Sequence, residues 1–166
     1  MKSAYKIAAV PAFLVLAAGG VVFVTVSGGC GDQETARAQK MRDLKALQVR
    51  PEGAHPVTGG EEAEYGCDDD GGGWLYANRH YTFEGSNRQI VDFYRDFAKK
   101  EGLPLDDEGS DDVPDTLSGF CFSAEADGQP VLIRIRFIPP GSSGPAGDYT
   151  VGAEASLDGT PIRCWL

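Results

Sequence analysis

The side chains best suited to chemistry are four cysteines, Cys30, Cys67, Cys121 and Cys164, with two histidines and several runs of aspartate. The cysteines are widely spaced and no C-x-x-C occurs, so neither a dithiol redox motif nor a zinc ribbon is indicated. Four thiols allow two bridges in three connectivities, or one bridge and a free thiol if Cys30 is diverted to another use. In an exported domain a structural bridge is the default, with Cys67, Cys121 and Cys164 as candidates. Cys164 stands two residues from the C-terminus, where a bridge would pin a final strand. In a simple antiparallel meander the start of the first strand and the end of the last share one end of the sheet. That favours Cys67–Cys164 over Cys121–Cys164.

The other polar groups are less specific. His55 and His80 have no metal-spaced partner, and His80 is the one plausible base in the folded part. Asp68-Asp69-Asp70 and Asp106-Asp107-Glu108 with Asp111-Asp112 lack the spacing of a calcium loop. Contiguous aspartates point in different directions, so these read as solvated loops. No glycine-rich phosphate loop precedes a helix. No catalytic, cofactor-binding or metal-ligating residue is therefore assigned, and no cofactor is expected. Arg134 and Arg136 are expected to face Glu154 across strands as ion pairs. The alternative is that with Trp74, Tyr76 and Trp165 they instead form a polar-aromatic surface of the kind that recognises partners.

These residues follow an apolar run, Ile7 to Val26, in which Thr25 is the one polar side chain. About 20 apolar residues suffice to span a bilayer as a helix. Lys2 and Lys6 precede it, as in a secretory signal. Ser27-Gly28-Gly29-Cys30 then resembles the lipobox of bacterial lipoproteins, with small residues before the cysteine and Ser27 where that family carries an aliphatic residue. The resemblance implies cleavage before Cys30 and lipid on its sulfur. Two alternatives stay open: retention of the run as a signal anchor, and ordinary cleavage after Ala36-Arg37-Ala38. Abundant Gly and Ala, with Asn only at Asn78 and Asn87, are typical of GC-rich coding. With the N-terminal signal they resemble the small membrane-anchored envelope proteins of actinobacteria.

Charge is uneven: residues 1–50 carry a net +4 and residues 51–166 a net −14. An acidic folded part repels nucleic acid, which is excluded as a partner. The basic residues Arg37 to Arg50 would favour a cytoplasmic C-terminal domain if the run stayed uncleaved; the cysteines favour export, and export is the reading taken.

The elements that must position these groups follow. Residues 1–30 are a signal or anchor and 31–64 a juxtamembrane helix, Asp32 to Val49, with a Pro- and Gly-rich linker. Residues 65–166 are an extracytoplasmic α+β domain. Trp74 to Phe83 reads as a strand. Ser86 and Gln89 form a capping box before an amphipathic helix that Gly102 closes. Strands follow from Phe120 to the Asp127-Gly128 turn, over Val131 to Ile138 and over Asp148 to Leu157, with a last short strand at Ile162 to Leu166. The order βαβββ predicts one helix on a four- to five-stranded antiparallel sheet, compatible with cystatin-like and other two-layer folds. The function expected is a non-catalytic binding domain at the outer face of the cell membrane. Its partners are the membrane, through the N-terminal segment, and a protein or cell-wall component. A small hydrolase, a purely structural stalked domain and simple secretion are the alternatives.

Overall fold

The computed structural model describes residues 30–57, 59, 62–68, 73–105, 119–137 and 147–164. The apolar run Ile7 to Val26 lies outside the described residues, as do Asp69, Asp70, the acidic stretch 106–115 and Trp165. Among the described residues no helix is long and apolar enough to cross a membrane.

The elements in chain order are α1 (Asp32–Arg42), α2 (Lys45–Gln48), β1 (His55–Pro56), β2 (Glu64–Asp68), β3 (Trp74–Thr82), α3 (Asn87–Glu101), β4 (Gly119–Ala126), β5 (Gln129–Phe137) and β6 (Asp148–Ser156). The strands form one antiparallel sheet in the order β1-β3-β6-β5-β4. β2 shares the outer edge of β3 with β1, β1 pairing at Tyr81 and Thr82 and β2 along Trp74 to Asn78.

Alternation along the strands gives the sheet a helix face and an open face. Leu75, Ala77 and Tyr81 of β3, Tyr149, Val151, Ala153 and Ala155 of β6, and Val131, Ile133 and Ile135 of β5 are buried on the helix face. α3 lays Ile90, Val91, Tyr94 and Ala98 against them. Its ends are built as expected. Gln89 N donates to Ser86 Oγ (3.3 Å), Ser86 N donates to Gln89 Oε1 (2.8 Å), and Gly102 takes φ 69°.

The N-terminal helices belong to the same core. Ala38 and Met41 of α1 and Ala46 and Leu47 of α2 are buried in the cluster that α3 and the sheet share. Two buried tyrosines fasten this segment from opposite layers. Tyr81 Oη donates to Leu47 O and Tyr94 Oη to Val49 O, each at 2.8 Å. Tyr149 stacks on Tyr81 at 5.3 Å between ring centroids. Burial pushes the Tyr94 and Tyr149 phenols far up, so both stay neutral. The boundary expected at residue 65 therefore has no counterpart in the packing.

Two further elements differ from expectation. The Pro- and Gly-rich stretch contributes β1 and β2, because β3 presents a long edge that they complete. The strand expected at Ile162 to Leu166 is absent over the described residues 162–164, which run as irregular tail.

Candidate functional site

The open face is where charged and aromatic side chains converge. β3 contributes Trp74, Tyr76, Asn78 and His80, β6 contributes Thr150, Gly152 and Glu154, and β5 contributes Arg134 and Arg136. Register sets their neighbours: Tyr76 is opposite Glu154, Asn78 opposite Gly152, and Gly152 opposite Arg134.

Glu154 sits between the two arginines. Its Oε1 accepts from Arg136 Nη2 at 2.8 Å and its Oε2 lies 3.2 Å from Arg134 Nη2. The cross-strand ion pairs expected from alternation are present. Glu154 and Arg134 are mostly covered, whereas the Arg136 side chain is 48% exposed. The inner pair is thus a fixture of the face, while Arg136 offers a guanidinium edge to solvent.

Gly152 makes room for this arrangement. A Cβ there would stand 2.7 Å from Asn78 Oδ1 and 3.7 Å from Arg136 Nη2. Any other residue would push the Asn78 amide off β6. Asn78 Oδ1 and Arg134 Nε are buried and have no hydrogen-bond partner among the described residues, an uncommon state for interior polar atoms.

Above this floor lies a groove of about 600 Å³, walled by Trp74 and Tyr76 on one side and by Ile162 of the tail on another. The tail is steered there by the turn after β6. Asp158 Oδ1 accepts from Ser156 Oγ (2.7 Å), Thr160 N (3.0 Å) and Thr160 Oγ1 (2.7 Å). The Thr160 amide, then the Ser156 and Thr160 hydroxyls, hold the Asp158 carboxyl down at about 2. The tail then reaches β4, where Cys164 is bonded to Cys121, their Cα atoms 6.1 Å apart.

The second bridge joins Cys30, just before α1, to Cys67 of β2, with Cα atoms 5.6 Å apart. The Cys67–Cys164 pairing favoured by a simple meander is therefore corrected. β6 lies inside the sheet between β3 and β5, and the tail leaves it across the open face towards β4 rather than towards β2. No cysteine among the four is free. Two disulfides fit an oxidising, extracytoplasmic environment. A sulfur held in a disulfide has no valence left for a thioether, so the bridge to Cys67 and lipid on Cys30 exclude each other.

The remaining expected groups do not assemble with these. His80 Nδ1 lies 3.0 Å from Thr150 Oγ1, and the ring does not line the groove. His55 is exposed on β1. Among the described residues no three His, Cys, Asp or Glu side chains are placed to hold a metal ion. Sequence reasoning missed Asn78 and Gly152, whose part depends on the register of β3 against β6, and Ile162 as a wall rather than a strand residue. Compared with protein-family models, with curated proteins and with solved structures, the chain matches none of them.

Proposed function

We propose that this protein is a membrane-tethered, extracytoplasmic binding module whose recognition surface is the groove on the open face of the sheet. The observation that carries the reading is the Arg134–Glu154–Arg136 array set beneath Trp74 and Tyr76. It combines a preorganised polar floor, aromatic walls and one guanidinium edge left to solvent, the mix enriched where partners dock. The layer between helices and sheet is filled by large apolar side chains, so a ligand would be met on the open face, where this groove lies. The apolar run Ile7 to Val26 supplies the tether in the bridged form, and lipid on Cys30 would supply it in the alternative form.

The reading is tested by photo-crosslinking in native membranes, with a benzophenone side chain placed at Tyr76. A discrete adduct that is lost in an Arg136→Ala background is expected, and mass spectrometry of that adduct would tell a protein partner from a cell-wall one. Absence of any adduct, or adducts indifferent to Arg136, would count against the groove.

A further inference from the structure

We infer that the end of the sheet carrying Trp74 and Leu157 is a lipid-contacting face, pressed against the membrane surface by the tether. The inference rests on the tethered reading above and adds to it which part of the domain touches the bilayer.

Three observations meet at this end. First, among the described residues it holds two of the three large apolar side chains that are exposed, Trp74 at 43% and Leu157 at 41%. They are neighbours. Leu157 N donates to Gly73 O at 3.0 Å, and a Cβ on Gly73 would touch Leu157 Cδ1 at 3.4 Å. Pro161 and Ile162 extend the patch, with the charged Asp158 and Arg163 at its rim.

Second, the chain enters the domain here. Cys30 is bonded to Cys67, and the next residue of β2, Asp68, is the register partner of Trp74. Four residue steps separate Val26, the end of the apolar run, from Cys30. Even fully extended they span at most about 14 Å. A domain held by its Cys30 corner on so short a leash cannot turn this end far from the surface. Lipid on Cys30 would hold the same corner closer still.

Third, the groups around the patch suit the interface between lipid and water. Tryptophan concentrates at that level, where its ring is apolar and its N–H is wet. α1 crosses this end with its cations engaged on it. Arg37 Nη1 donates to Leu157 O at 3.1 Å, and Lys40 Nζ pairs with Asp127 at the β4–β5 turn. Acidity over residues 51–166 opposes an anionic surface, so the contact is apolar in origin and belongs on zwitterionic lipid.

The test uses the full chain reconstituted in phosphatidylcholine vesicles, with Trp165→Phe so that Trp74 is the one tryptophan. Emission is compared between plain lipid and lipid brominated near the headgroup end of the acyl chains. The expected results are a blue shift on reconstitution, a loss of Trp74 intensity in brominated lipid, and a smaller loss in Leu157→Ser, an exposed substitution that leaves the fold intact. A chain that floats with the vesicles but emits equally in both lipids overturns the docking face and leaves the tether standing. A chain that does not float with them overturns both. Emission that depends on protein-to-lipid ratio and not on bromine assigns the patch to a second copy of the chain, and the lipid contact falls.

Discussion

Glu154 is the residue on which the open face depends. Its pair with Arg134 is largely withdrawn from water, the two side chains being 14 and 16% exposed. Removing the carboxylate charge leaves a covered guanidinium poorly paired. Glu154→Gln is expected to cost about 1–3 kcal/mol in urea unfolding, whereas Arg136→Ala, which removes the exposed partner, should cost under about 1 kcal/mol. Equal costs would mean that Arg136, not Arg134, is the structural partner. Asp158 works through hydrogen bonds instead. Its folded carboxyl titrates at about 2, below the ordinary value of 3.8. A depressed acid stabilises above its unfolded value, and the effect fades as pH falls towards the folded one. Melting temperatures of the parent and Asp158→Asn should therefore differ at about pH 6 and converge between about pH 4 and pH 2. A gap independent of pH would show that the charge is not what holds the turn. At this scale the sequence was informative where alternation alone decides, as for Arg134, Arg136 and Glu154. It was silent on Asn78 and Gly152, because a one-residue slip between β3 and β6 would separate them.

Among the elements, α3 and α1 show two kinds of legibility. α3 carries its own start, stop and stripe: Ser86, Gln89, Gly102 and a row of apolar side chains. Such signals are local and survive in any context. α1 is mostly polar, and its burial is carried by Ala38 and Met41. Nothing in this mostly polar stretch of eleven residues says that a sheet waits beneath it. Met41, 1% exposed, tells a docked helix from a juxtamembrane spacer. Met41→Ala should destabilise the whole domain by about 2–5 kcal/mol if the helix is part of the core. A spacer would tolerate the change with no shift in the unfolding midpoint. β1 and β2 illustrate the same point from the other side. Glycine- and glutamate-rich sequence has little strand propensity of its own. It becomes strand because β3 is nine residues long and needs pairing on its outer edge.

For the molecule as a whole, the two bridges fasten both ends of the described chain to the sheet. They are close to equal in span, 37 and 43 residues in sequence. By the chain-entropy account each is worth about 4 kcal/mol, a large share of the stability of a small domain. They guard different things. Cys30–Cys67 fixes the corner where the chain arrives from the apolar run, and Cys121–Cys164 holds the tail that walls the groove. Peptide mapping without reduction is expected to recover those two linkages. A Cys67–Cys164 peptide would mean that the tail runs to the other side of the sheet and that the groove has a different wall. The same experiment would tell a bridged Cys30 from one that carries lipid. Every chain with lipid on Cys30 leaves Cys67 without its partner, as a thiol that alkylates before reduction, and every bridged chain does not. In membranes the alkylated fraction of Cys67 should therefore equal the lipidated fraction measured by intact mass. A lipidated chain whose Cys67 resists alkylation in denaturant would require a different partner for that cysteine, and with it a different arrangement of β2 at the Cys30 corner.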